Sequence, residues 1–109
     1  MAKWIMFGFS SCTDPTREDE FVRWYKEMRQ PDMLKTTPVK TCKMYETIYS
    51  WSEEEPRYFT IYEFETDKIE ETLAQLQDYT KKLDEEGRGT DLFNLMSAGV
   101  YREINSLTK

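Results

Sequence analysis

The sequence of 109 residues contains no histidine, which removes the commonest acid–base group at neutral pH. The absence also removes the usual partner of a serine or cysteine nucleophile and the histidine ligand of haem. With only Cys12 and Cys42, a structural zinc site of four nitrogen or sulfur ligands cannot be assembled. We therefore expect no metal site, and any chemistry must use aspartate, glutamate, tyrosine, arginine, lysine or cysteine.

Basic residues and long apolar runs are also scarce. Fifteen Lys and Arg residues stand against 21 Asp and Glu residues, a net charge of −6, so we expect neither nucleic acid nor a membrane surface as partner. The longest apolar run, residues 4–9, is far shorter than the roughly 20 residues that span a bilayer. With no signal segment at the start, these features predict a cytoplasmic protein. In that compartment the two cysteines are expected to be free thiols, with one disulfide as the alternative.

The chain length predicts a single domain over residues 1–109. Its periodicity predicts four strands, at 3–9, 39–49, 57–64 and 93–104, with a turn at 50–56. Two helices are expected, with Asp14 and Thr66 as their N-terminal capping residues. Pro31 is expected to end the first helix or to start a separate short turn, and Gly87 is expected to end the second helix.

The resulting order, β-α-β-β-α-β, predicts an α+β, ferredoxin-like domain: a four-stranded antiparallel sheet with both helices on one face. The other face of such a sheet is normally polar. Here Ile5, Phe7 and Phe9 alternate with Trp4 and Met6, and the third predicted strand alternates in the same way. An exposed apolar face marks an interface or a ligand cavity. We therefore predict a homodimer that packs sheet against sheet.

The stretches WYKEMRQPD at 24–32 and PRYFTIYEF at 56–64 resemble the dimeric α/β-barrel superfamily, most closely its EthD-like members. In that family the pattern after the aromatic pair usually runs to a histidine, one further residue and then Pro-Asp. Arg29 stands here at the histidine position, while the Trp-Tyr and Pro-Asp pairs match. The resemblance implies a small homodimer in which each subunit holds a pocket between sheet and helices.

The resemblance also implies a class of function. Many members process polyketide-like or aromatic molecules by cyclisation, decarboxylation, isomerisation or cofactor-free oxygenation, and others degrade haem. Without histidine we expect no haem-degrading role, which leaves a cofactor-independent enzyme that acts on an aromatic or polyketide-like molecule by acid–base chemistry. The alternative is a non-catalytic small-ligand-binding or dimeric interaction module on the same fold.

Arg29 is the central candidate of the implied site. A guanidinium group cannot accept a proton but can hold a carboxylate or enolate in a bidentate manner. Tyr25, four residues earlier, shares its helix face and can donate to a developing oxyanion. The base would be a carboxylate with a raised pKa or a tyrosine. We predict as catalytic Tyr25, Arg29, Tyr62 and Glu63, and as substrate-binding Trp24, Asp32, Tyr45 and Trp51.

Several of these residues can instead have a purely structural role. Arg29 can be a solvated cation at a helix terminus, and Trp24 can belong to the apolar stripe of the first helix. Glu63 can face water or pair with Lys43 or Arg57 across the predicted hairpin. An enzyme requires an aromatic pocket with a buried carboxylate beside a tyrosine or arginine. The binding-module hypothesis predicts a pocket filled by its own side chains, with Arg29 and Glu63 exposed to solvent.

Overall fold

The computed structural model describes residues 1–35, 38–52 and 56–109; Glu53 to Glu55 of the predicted turn lie outside the described residues. The strands are β1 (Ala2–Cys12), β2 (Val39–Glu46), β3 (Tyr58–Thr66) and β4 (Phe93–Arg102). They form one antiparallel sheet in the order β2-β3-β1-β4. With helices after β1 and β3, this confirms the predicted ferredoxin-like arrangement.

The first helical segment changes geometry several times along its length. It comprises a 3₁₀ turn (Pro15–Arg17), α1 (Glu18–Trp24), a π-helical segment (Tyr25–Arg29) and α2 (Gln30–Leu34). Asp14 caps its start as predicted, because the Asp14 carboxylate accepts the N–H of Thr16 at 2.9 Å. Pro31 does not end the helical segment, so the alternative, that it starts a further short turn, describes the structure better. Pro31 lies in the first turn of α2, directly after the π-helical segment, where a missing N–H costs little.

The second long helix, α3 (Ile69–Glu85), follows β3. The Thr66 hydroxyl accepts the N–H of Lys68 at 2.9 Å and so orders the chain before the helix. Thr66 is not the cap itself, since Lys68 occupies that position. Gly87 ends the helix as predicted: its φ of +78° suits glycine, and the next N–H, from Arg88, bonds back to a helix carbonyl at 2.9 Å.

The two faces of the sheet differ in what covers them. On the helix side, Trp4 and Met6 pack against a buried cluster that includes Met33, Phe64 and Leu76. On the other side, neighbouring rings contact one another at centroid distances of 4.8 to 6.4 Å. This outer aromatic face consists of Phe7, Phe9, Tyr45, Phe59 and Tyr101. No helix of the described chain covers it, so both faces of the sheet are apolar, as the alternation of residues predicts.

Three further observations concern the cysteines, the placement of metal-ligating side chains and the lengths of the helices. Cys12 and Cys42 are both free thiols. Within the described ranges, no group of three or more Cys, Asp or Glu side chains is placed to hold a metal ion. Over the same ranges, no helix has the length and apolar character needed to cross a membrane.

Candidate functional site

A cavity of about 730 Å³ lies between the sheet and the helices. Strands β1, β3 and β4 form its floor, while the first helical segment, α3 and the residues after α3 form the opposite wall. Gly8 contributes to this floor by having no side chain: a Cβ atom there would lie 3.3 Å from Leu95 and 3.4 Å from the Thr60 hydroxyl. The polar or aromatic lining residues include Trp24, Tyr25, Arg29, Thr60, Tyr62, Thr80, Asp84, Thr90, Asp91 and Phe93.

The π-helical segment carries two of the predicted catalytic residues into this cavity. Tyr25 begins the segment and Arg29 ends it, and the N–H of Gln30 bonds to the Tyr25 carbonyl five residues back. Tyr25 is 1% exposed and Arg29 is 8% exposed, yet both line the cavity. Single π turns within helices are frequent at functional sites, because the wider turn re-aims the side chains that it carries.

Tyr25 and Tyr62 form a hydrogen-bonded pair through their hydroxyl groups. Burial raises the pKa of Tyr62 to about 12. Burial, and then the neighbouring Tyr62, raise the pKa of Tyr25 as well. Both phenols are therefore neutral at neutral pH. The pair holds two protons, of which its mutual bond uses one, so the other can be donated to an oxygen of a ligand.

Arg29 is buried between an aromatic ring and a carboxylate. Its guanidinium carbon lies 5.0 Å from the centroid of the Trp24 ring, and its Nη2 donates to Asp84 Oδ1 at 2.9 Å. The positive charge of Arg29 opposes part of the burial effect on the pKa of Tyr62, so the two groups interact electrostatically. These contacts contradict the alternative of a solvated helix-end cation. Trp24 is fixed in turn by a bond of 3.1 Å from its indole N–H to the Arg88 carbonyl.

Asp32, which we predicted to bind substrate, lies outside the cavity. It is 3% exposed, and the Arg88 guanidinium donates to both of its carboxylate oxygens, one at 3.0 Å. The Asp32 carbonyl accepts the Tyr79 hydroxyl at 2.7 Å. Asp32 therefore joins α2 to α3 and to the residues that follow it, and its carboxylate is already occupied.

Three further candidates also lie away from the cavity. Glu63 points to the outer side of the sheet and pairs with Lys43 at 2.8 Å, as the structural alternative predicted. The bond from Lys43 lowers the pKa of Glu63, and its position on the outer side of the sheet separates it from a ligand in the cavity. Tyr45 stacks on Phe59 in the outer aromatic face. Trp51 is 93% exposed in the connection between β2 and β3.

The structure thus brings together Trp24, Tyr25, Arg29 and Tyr62, and adds polar lining residues that the sequence analysis missed. Thr60 could have been found, because it alternates in step with Tyr62 along β3. Thr80 and Asp84 lie four residues apart on one face of α3, a weak signal by itself. The bond from Arg29 to Asp84 joins positions 55 apart, and the sequence carries no signal for it.

No protein-family model matches the sequence, and no curated protein sequence matches it either. Solved structures do match. A dimeric ferredoxin-like protein from an uncultured marine organism has a TM-score of 0.66 at 13% identity, covering 98% of this chain and 100% of its own. A candidate monooxygenase from Shewanella loihica PV-4 has a TM-score of 0.62 at 10% identity, with coverages of 97% and 99%.

An EthD family protein from Bacillus halodurans C-125 matches with a TM-score of 0.60 at 13% identity, covering 95% of this chain and 100% of its own. At such low identities the likeness concerns the fold. The chain therefore has the ferredoxin-like fold that its resemblance to EthD-like proteins implies.

Proposed function

We propose that the protein binds an aromatic or polyketide-like small molecule in this cavity and catalyses a cofactor-independent acid–base reaction on it. The observation that carries the proposal is the pair of neutral phenols, the buried Tyr25 and the half-buried Tyr62, in the wall of an aromatic cavity large enough for a bicyclic or tricyclic compound. Formation of an enolate by removal of a proton beside a carbonyl group is the step common to cyclisation and isomerisation of such compounds.

The tyrosine pair suits the stabilisation of an enolate. As a proton leaves the carbon next to a carbonyl group, negative charge develops on the carbonyl oxygen. A preorganised O–H donor in a site poor in water stabilises this charge more than solvent does. With a pKa of about 12, Tyr62 keeps its proton at neutral pH and can donate a hydrogen bond throughout the reaction.

The proton acceptor that we propose is Asp84, in place of Glu63. Asp84 and Asp91 are the carboxylate residues in the described cavity lining, and Asp84 is the one that contacts Arg29. A carboxylate can accept a proton, whereas a guanidinium cannot. Once Asp84 is protonated, the Arg29 charge would be available to the enolate, which strengthens the same oxyanion stabilisation.

One observation favours the alternative of a non-catalytic binding module. Glu63, one of the predicted catalytic residues, lies on the outer side of the sheet as that alternative expects. Two observations oppose it: Arg29 is buried, and the cavity is not filled by its own side chains. A test must therefore measure binding and proton transfer separately.

We also propose that two copies of the chain pair through the outer aromatic face. The rings of Phe7, Phe59 and Tyr45 stack on one another without a covering helix, which is an arrangement typical of an interface. Dimerisation of the similar marine ferredoxin-like protein supports the proposal.

The binding test is calorimetric titration of the protein with bicyclic and tricyclic phenols and ketones. We expect at least one compound to bind, and Tyr62→Phe to weaken its binding tenfold or more by removing the paired hydroxyl. Tyr49→Phe is the matched control, because it removes the same group from an exposed position outside the cavity. Absence of binding by every compound, or equal losses in both variants, would refute the proposal.

The catalytic test uses 2-tetralone, an uncharged aromatic ketone whose carbon-bound protons exchange through an enolate. We expect the wild-type protein to accelerate their exchange with deuterated solvent, as followed by proton NMR, and Tyr62→Phe to reduce this acceleration. Tyr49→Phe should retain it. Binding of 2-tetralone without accelerated exchange would support the binding module instead.

A further inference from the structure

We infer that Asp84 determines the charge of the ligand, so that the cavity selects uncharged phenols and ketones over aromatic carboxylates. The inference rests on the proposed function, because it names the substrate class of the same cavity. It also changes the role of Arg29, which by itself would be expected to hold an anion. The bond from Arg29 to Asp84 at 2.9 Å is the central observation.

The charges around the cavity are unfavourable for an anion. Among the described lining residues, Arg29 is the cation, while Asp84 and Asp91 are carboxylates. Tyr25 and Tyr62 are neutral because burial raises the pKa of both. One positive and two negative groups therefore surround the ligand space, within a protein whose net charge is −6. A carboxylate that enters this space meets a net negative charge.

The Arg29 guanidinium is covered on two sides before any ligand arrives. The Trp24 ring lies 5.0 Å from it, and Asp84 occupies one edge through its hydrogen bond. The Asp84 side chain is 58% exposed, whereas that of Arg29 is 10% exposed. A ligand carboxylate would have to displace Asp84 or lie beside it, and two adjacent carboxylates repel each other.

The chain after α3 leaves space for this ion pair. A Cβ atom at Gly89 would lie 2.7 Å from Asp84 Oδ1, the oxygen that contacts Arg29, and 3.4 Å from its Cγ. Any side chain at Gly89 would therefore push the carboxylate away from its present position. The N–H of Gly87 bonds to the Asp84 carbonyl at 3.2 Å and holds the end of the helix in place. Both glycines thus support one position of Asp84.

The test compares two probes of nearly the same size and shape, the anion coumarin-3-carboxylate and the uncharged coumarin-3-carboxamide, whose amide also carries two N–H donors. Calorimetric titration at neutral pH gives the ratio of their dissociation constants for each variant. We expect the wild-type protein to bind the carboxamide at least tenfold more tightly. Asp84→Asn keeps the size of the side chain and one acceptor oxygen for Arg29 but removes the charge, so it should shift the ratio at least tenfold towards the carboxylate.

Two further variants assign the effect to this ion pair. Asp91→Asn makes the same charge change at another lining residue without a bond to Arg29, and we expect it to shift the ratio less than threefold. Gly89→Ala removes no charge but displaces the Asp84 carboxylate, so it should shift the ratio in the same direction as Asp84→Asn. It also provides a test that is independent of substitution at Asp84.

Three results would overturn the inference: a wild-type preference for the carboxylate, an unchanged ratio in Asp84→Asn and Gly89→Ala, or an equal shift in Asp91→Asn. A different result would refute the proposed function. If neither coumarin nor any phenol or ketone binds the wild-type protein, the cavity is not an aromatic-ligand site. If the probes bind without regard to charge, the cavity is such a site and the role of Asp84 alone is refuted.

Discussion

The hydroxyl groups of Tyr25 and Tyr62 meet in a direct hydrogen bond, although one side chain comes from the π-helical segment and the other from β3, 37 positions later. The bond connects the helical layer to the sheet at the wall of the cavity. Because burial raises the pKa of both groups, the folded protein retains two protons that an unfolded chain releases at lower pH.

This difference predicts how stability changes in alkaline solution. Tyrosine in an unfolded chain ionises near pH 10, whereas the folded-state pKa of Tyr62 is about 12 and that of Tyr25 is also raised. The part of the unfolding free energy that depends on these two raised pKa values is therefore fully present below pH 10. It is lost as the pH rises from 10 towards 12. The slope is at most about 1.4 kcal/mol per pH unit for each phenol.

Urea unfolding between pH 8 and 11.5 measures this slope. The matched control is Tyr62→Phe, which lacks one of the two phenols and should lose stability less steeply above pH 10. Lysine residues also titrate in this range, but they do so in both proteins, so the difference between the slopes isolates the tyrosine pair. Equal slopes would contradict the prediction.

Most of the fold follows from local patterns that need no knowledge of distant contacts. Alternating side chains in β1 and β3 indicate the strands, Asp14 indicates the start of the first helix, and Gly87 indicates the end of α3. The exception is Pro31. A proline usually ends a helix, but the preceding π-helical segment places Pro31 in a new first turn, where its missing N–H is tolerated.

The site was only partly predictable, for two different physical reasons. Glu63 was misplaced although the necessary signal was present: successive residues in a strand face opposite sides, so Glu63 cannot share a face with Tyr62. For Asp32 and Asp84, in contrast, no local signal was present. Their roles depend on bonds to Arg88 and Arg29 over 56 and 55 positions, and such contacts are set by how α2 and α3 pack.

The bond between Arg88 and Asp32 predicts an asymmetry between two substitutions. The Asp32 side chain is 4% exposed and that of Arg88 is 39% exposed. Among the described residues, Arg88→Ala leaves the buried Asp32 carboxylate with only the weaker contact to Lys35 at 3.8 Å, and a buried charge without a close partner is destabilising. Asp32→Asn removes the buried charge, and water can solvate the half-exposed Arg88. We therefore expect Arg88→Ala to lower the free energy of unfolding more.

Urea unfolding at pH 7 measures both effects. Arg17→Ala is a suitable control, because Arg17 pairs with Glu20 on the surface, where an ion pair contributes little to stability. It should leave the unfolding midpoint nearly unchanged. A larger loss in Asp32→Asn than in Arg88→Ala would show that desolvation of the carboxylate is not the dominant cost.

Substitution of Phe59 tests the proposed dimer. Phe59 lies at the centre of the outer aromatic face, with ring centroids of Tyr45, Phe7 and Phe9 at 4.8, 5.1 and 5.9 Å. Phe59→Asp would place a carboxylate in the middle of the proposed interface. A buried charge without a partner is costly, so the variant should dissociate into monomers.

Light scattering after size-exclusion chromatography distinguishes a mass of 13.1 kDa from twice that value. We expect the wild-type protein and Gln77→Asp, an equally acidic change on the exposed side of α3, to have the larger mass. Tyr101→Glu, at an exposed position of the same face, provides a second interface variant that leaves the central rings in place. Both interface variants should lose the dimer but retain their far-ultraviolet circular dichroism, because the substituted side chains lie on the outer aromatic face, away from the helix-side core. A wild-type mass of 13.1 kDa at micromolar concentration would refute the dimer.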